Sequence, residues 1–125
     1  MDKKRLAWIG LFALLALLTA CGGSKGYRSI SPQELQALDP ADVFLIDTNP
    51  TDEGRIPNTD AHIPFDAVAE HTSELPDKGT TVAVYCSGGG RSSQAAKALV
   101  ELGYTDVLHL DGGLDAWRKA DYTVE

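Results

Sequence analysis

Thr81-Val82-Ala83-Val84-Tyr85 is apolar and rich in β-branched residues, the pattern of a strand buried on both faces. It runs without a spacer into Cys86-Ser87-Gly88-Gly89-Gly90-Arg91. Ala95, Ala96, Leu99, Val100 and Leu102 then recur at helical spacing, and Gly103 closes the run. The chain around this unit alternates in the same way. Val43 to Ile46, closed by Asp47, and Val107-Leu108-His109-Leu110 read as further buried strands. Ser31-Pro32-Gln33-Glu34 has a capping Ser, Pro at the first helical position and Glu three residues after the cap. It predicts a short helix with Leu35 and Leu38 inward, ending near Asp39-Pro40. Thr48 to Pro64, polar with three prolines, predicts loop with short extended pieces. Asp66 to Leu75 predicts one or two helical turns, with Ala67, Val68 and His71 on one side. Gly112-Gly113 turns into a last helix carrying Leu114 and Trp117. Strands alternating with helices define an α/β class, a parallel sheet covered on both faces.

The start of the chain follows a different logic. Lys3-Lys4-Arg5 precedes thirteen uncharged residues, Leu6 to Leu18, and then Leu18-Thr19-Ala20-Cys21. Thirteen helical residues cover about 20 Å, against the roughly 30 Å of a bilayer core, which is short for a membrane span. A basic flank, a short apolar core and small residues before a cut site make a secretory signal over residues 1–20. The ending resembles a bacterial lipobox, which implies lipidation of Cys21 as the new first residue. Gly22 after it fits sorting to the outer membrane. Residues 21–28 then read as a lipidated Cys and flexible tether, and residues 29–125 as one domain. The removed piece carries three basic residues and one acidic. That leaves 8 of the chain's 11 basic and 17 of its 18 acidic side chains, a net charge of −9 in place of −7. That acidic balance argues against nucleic acid as the main partner, because phosphate binding needs a basic face. The expected location is the bacterial cell envelope, facing the periplasm.

Cys86 carries the chemistry. Three consecutive glycines open backbone angles closed to other residues, so their N–H groups can converge on one point. Those donors and the positive end of the helix dipole favour an anion at the sulfur. A thiol so placed titrates at about 3.5–7.5 rather than near 8.5. With Cys21 lipidated, Cys86 is left without a disulfide partner, as a reactive thiol in an exported protein would be. Arg91, the one cation of the loop, adds to the field; it steers an anionic donor or locks the loop by an ion pair. Ser92 most simply caps the helix. Asp47 is expected to fix the loop by hydrogen bonding.

The stretch VYCSGGGRSSQAAKALVELGYTDVLHLDGGLDAW resembles the rhodanese family signature, a C-x-x-G-x-R loop between strand and helix followed by L-x-G-G-x-x-x-W. FLIDTN and EGRIPNTDAHIPFDA resemble two earlier family segments. The resemblance implies a mainly parallel five-stranded sheet with helices on both sides. It also implies that Cys86 is a sulfur-carrying nucleophile, with Ser87, Gly88, Gly89, Gly90 and Arg91 lining its pocket and their amides facing the outer sulfur. The implied reaction is ping-pong sulfur transfer from a small donor such as thiosulfate to a thiol or cyanide acceptor by a monomeric domain without cofactor. The alternative is a non-catalytic rhodanese-like binding or sulfur-carrier module. Two positions depart from the pattern: Asn49 stands where members often carry Arg, and Arg55 where they carry His.

Other chemistries fit less well. Cysteine phosphatases use C-x5-R, whereas Cys86 and Arg91 enclose four residues, a tighter ring suited to one sulfur atom. The glycines lack the Lys-Ser/Thr ending of a nucleotide loop. His62, His71 and His109 show no ligand spacing, so no metal site is expected.

Overall fold

The computed structural model describes residues 26–125. The expected signal segment, Cys21 and the tether up to residue 25 lie outside the described residues. Five strands form one sheet: β1 Tyr27–Ile30, β2 Phe44–Asp47, β3 Ala61–His62, β4 Val82–Tyr85 and β5 Val107–Leu110. Their order is β1-β5-β4-β2-β3 and every neighbouring pair is parallel. Three α-helices complete the layers: α1 Pro32–Gln36, α2 Gly90–Glu101 and α3 Gly113–Lys119.

The inner strands β2, β4 and β5 are mostly apolar because both faces are covered, and period-two alternation divides their side chains between two cores. Val82 and Val84 join Ile46, Ile63 and Val68 beneath α2, which contributes Ala95, Ala96 and Leu99. Ala83 and Tyr85 face the other way and join Leu45, Leu108 and Leu110 beneath α1 and α3, which contribute Leu35, Leu114 and Trp117. The α/β class and five-stranded parallel architecture are as expected.

Local differences have physical causes. The capping box at Ser31 and Glu34 forms, but α1 ends at Gln36. Leu38 therefore falls past the helix and is 37% exposed instead of inward. The expected helix over residues 66–75 resolves into two 3-10 turns, Val68–Glu70 and Thr72–Glu74. His71, at φ −115° and ψ 31°, breaks the helical path between them, and neither turn has a side-chain cap. Strand β1 takes up Tyr27 and Arg28, which the sequence reading assigns to the tether. Their backbone is claimed by β5, with Tyr27 opposite Val107 and Arg28 opposite Leu108.

Candidate active site

Cys86 follows the last residue of β4, so it stands at the C-terminal edge of a central strand. Its side chain is buried, and Cys86 is the free cysteine of the described residues. The Gly89 N–H donates to its Sγ at 3.0 Å and the Ser92 N–H at 3.4 Å. Burial pushes the thiol up. The Ser92 hydroxyl and the N–H groups of Ser92, Gly89 and Arg91 push it down by more, leaving it below the ordinary thiol value.

One of the loop amides is engaged elsewhere. The Ser87 amide is turned away, donating to Asn49 Oδ1 at 3.0 Å. Helix α2 already begins at Gly90, with Gly89 at its cap in the left-handed conformation (φ 100°). Ser92 is therefore not the cap. It is the third helical residue and wholly buried, and its hydroxyl donates to the Gly89 carbonyl at 3.2 Å. Gly89 has to be glycine on two counts: its φ, and a Cβ there would lie 3.2 Å from the Gly112 nitrogen. No hydrogen bond joins the Gly88 or Gly90 amide to the sulfur, and both residues are exposed. Arg91 is exposed, with its guanidinium 5.8 Å from the Phe65 ring centroid; among the described residues it makes no ion pair.

Asp47, at the end of neighbouring β2, makes no hydrogen bond to the Cys86 loop itself. Its Oδ1 accepts the Asn49 N–H at 3.0 Å. Burial holds its carboxyl above the ordinary carboxylate value, against the amide of Asn49 and the charges of His62 and Arg55. Asn49 is the residue that reaches the loop, accepting the Ser87 hydroxyl as well as its amide. Asp47 Oδ2 and Asn49 Nδ2 are buried without a partner among the described residues.

Sequence reasoning overlooks four further supports. Glu53 shares the single proton of the Ser87 hydroxyl with Asn49 at the outer side of the loop. His109, on β5, reaches the Gly89 carbonyl at 2.8 Å. The first turn of α3 clamps the loop from the side: the Leu114 and Asp115 N–H groups donate to the carbonyls of Cys86 and Ser87 at 2.8 and 2.9 Å. Gly113 permits that approach, at φ 56°, because a Cβ there would overlap the Cys86 carbonyl oxygen. The doubled glycine and its distance from Cys86 were the only sequence signal for this clamp. No three of His, Cys, Asp and Glu converge as metal ligands among the described residues.

A parallel α/β domain that holds one thiol in backbone N–H groups, at the mouth of a helix, defines a class built to stabilise a sulfur anion. Known proteins narrow it further. The rhodanese-like domain family matches residues 31–120, and the chain belongs to it. It is similar to a sulfurtransferase of Allochromatium vinosum, 38% identical over 84 residues that cover 65% of this chain and 77% of the relative. It is also similar to the thiosulfate sulfurtransferase GlpE of Pseudomonas syringae pv. syringae, 30% identical over 95 residues, covering 74% and 88%. Among solved structures, a rhodanese-related protein from Thermoplasma volcanium superposes with a TM-score of 0.66 at 28% identity, covering 79% of this chain and 98% of that one.

Proposed function

We propose that the protein is a sulfurtransferase that carries sulfane sulfur as a persulfide on Cys86. The observation that carries this reading is the sulfur at the end of β4, accepting N–H donors from Gly89 and Ser92, with its thiol shifted toward the anion. The Cys86 thiolate attacks the outer sulfur of thiosulfate. A new S–S bond forms, the donor's S–S bond breaks, and sulfite leaves with the electron pair. The negative charge now sits on the terminal sulfur of the persulfide, which the loop donors and the start of α2 favour. Cyanide or a thiolate then attacks that sulfur, giving thiocyanate or a new persulfide and returning the Cys86 thiolate. The loop holds the thiol below its ordinary value, which raises the thiolate fraction without a separate base. One relative is named a thiosulfate sulfurtransferase, which makes thiosulfate the first donor to try. Exposed Arg91 is suited to meet an anionic donor.

Intact mass after incubating the purified chain with thiosulfate tests this, beside Cys86→Ser. The expected result is a cyanide-labile gain of one sulfur that the variant lacks. No gain from any sulfane donor would overturn it in favour of a binding module.

The proposal includes export and a lipid anchor on Cys21, with the domain facing the periplasm and the outer membrane favoured. It rests on the basic flank, the apolar run and the Leu-Thr-Ala-Cys ending. Cys21→Ser should release the protein from the membrane fraction; retention would sink the anchor.

A further inference from the structure

His109 is an unusual residue for its place. It is the one polar side chain of β5, 7% exposed, in a strand otherwise made of Val and Leu. Three contacts fix its ring. Nε2 lies 2.8 Å from the Gly89 carbonyl oxygen, which can only accept, so Nε2 carries the proton. Nδ1 faces the Ser29 hydroxyl of β1 at 3.2 Å. The Tyr27 ring meets the imidazole edge-on, centroids 6.0 Å apart at 74°.

Gly89 is where this matters. Its N–H gives the shorter of the two hydrogen bonds to the Cys86 sulfur. It stands in a run of three glycines, the stretch of chain with the most conformational freedom to lose. A donor on such a backbone stabilises a thiolate only if something outside the loop holds its direction. The Gly89 carbonyl also accepts the Ser92 hydroxyl at 3.2 Å and the Ser93 N–H at 3.3 Å from α2. The imidazole adds the shortest contact, from the sheet, on the same residue whose amide faces the sulfur.

We propose that His109 is a positioning residue for the Cys86 thiolate, tying the Gly89 backbone to β5 so that the Gly89 N–H stays aimed at the sulfur. Ser29 completes the arrangement by holding the far side of the ring. The inference rests on Cys86 being the nucleophile and is independent of the donor.

The test is the pH dependence of iodoacetamide alkylation at Cys86, followed by peptide mass, in the purified chain and in His109→Leu, His109→Gln and Ser29→Ala. In His109→Leu the titration midpoint rises and the rate near pH 7 falls, by roughly 3- to 10-fold for a shift of half to one unit. The rate at high pH, where all the thiol is ionised, stays the same. His109→Gln, which keeps an N–H donor near the Nε2 position, restores the wild-type midpoint. A purely structural histidine would change the unfolding midpoint and leave the thiol titration alone. Ser29→Ala, at an exposed edge-strand position, guards against His109→Leu failing to fold; its midpoint rises by less. An unchanged midpoint in the variants that fold, or a Gln variant that fails to restore it, overturns the proposal. The readout is thiol titration, so a chain that titrates low yet takes no sulfur would count against the proposed activity alone.

Discussion

Asn49 and Ser87 lie 38 positions apart in the chain and are joined twice, the Ser87 amide and hydroxyl both donating to the Asn49 side-chain oxygen at 3.0 Å. The parallel register makes this possible. Asp47 pairs with Tyr85, so Asn49 and Ser87 each stand two residues beyond a matched pair. Asn49→Ala removes the acceptor and leaves the partly buried Ser87 N–H unsatisfied. The expected loss is about 1–3 kcal/mol, read from urea unfolding. Sulfur loading of Cys86 should slow as well, because the first residue of the loop is untied.

Gly113→Ala should be more damaging than a helix-terminal alanine normally is. The left-handed backbone alone costs roughly 1–2 kcal/mol, and the added methyl is driven against the Cys86 carbonyl. Gly79→Ala is the matched control, since a Cβ there meets nothing within 4 Å. Thermal unfolding should show a clear loss for the first and a change within about 0.5 kcal/mol for the second.

Asp47 makes stability depend on pH in a defined direction. Its carboxyl titrates above its ordinary value of 3.8 in the folded chain, through burial, so the folded state holds this proton more tightly than the unfolded state. Stability falls as pH rises from the ordinary value through the raised one, and stays lower above it. Asp47→Asn keeps an oxygen for the Asn49 amide and carries no charge. Urea midpoints at pH 4, 5.5 and 7 should show the variant gaining on the wild type as pH rises. A constant difference would refute this account.

Tyr85 ties β4 to the segment before β3. The Thr59 hydroxyl donates to the Ile56 carbonyl at 2.6 Å, so the Tyr85 hydroxyl donates to Thr59 and accepts the Ile56 N–H. Tyr85→Phe leaves that buried amide unpartnered, and the expected cost is about 1–3 kcal/mol by chemical denaturation.

The parts visible in the sequence are those set by near neighbours. β4, the glycine loop and α2 are consecutive, so Cys86 and its helix could be placed from pattern alone. The capping box of α1 is four residues long and was equally plain. What stayed hidden depends on register between distant strands. Asn49 looked like a departure from a family pattern, and its hold on Ser87 exists only once β2 lies beside β4. His109 reads from sequence only as part of a buried strand without metal-ligand spacing. Its reach to Gly89 needs β5 beside β4, where Val84 pairs with His109. β1 was missed because Arg28 and Ser29 are exposed and only Ile30 is fully buried, which leaves no alternation to read. The cap lies three positions before Ser92, at Gly89, because three glycines let the helix start earlier than a side-chain cap would require.

Every strand of the sheet runs the same way, so the domain has two unlike ends. The chain enters at the start of β1, among the strand beginnings, while Cys86 opens at the strand finishes. Four-residue strands set these ends roughly 13 Å apart. The described chain therefore starts at one end of the sheet, and the sulfur loop lies at the other.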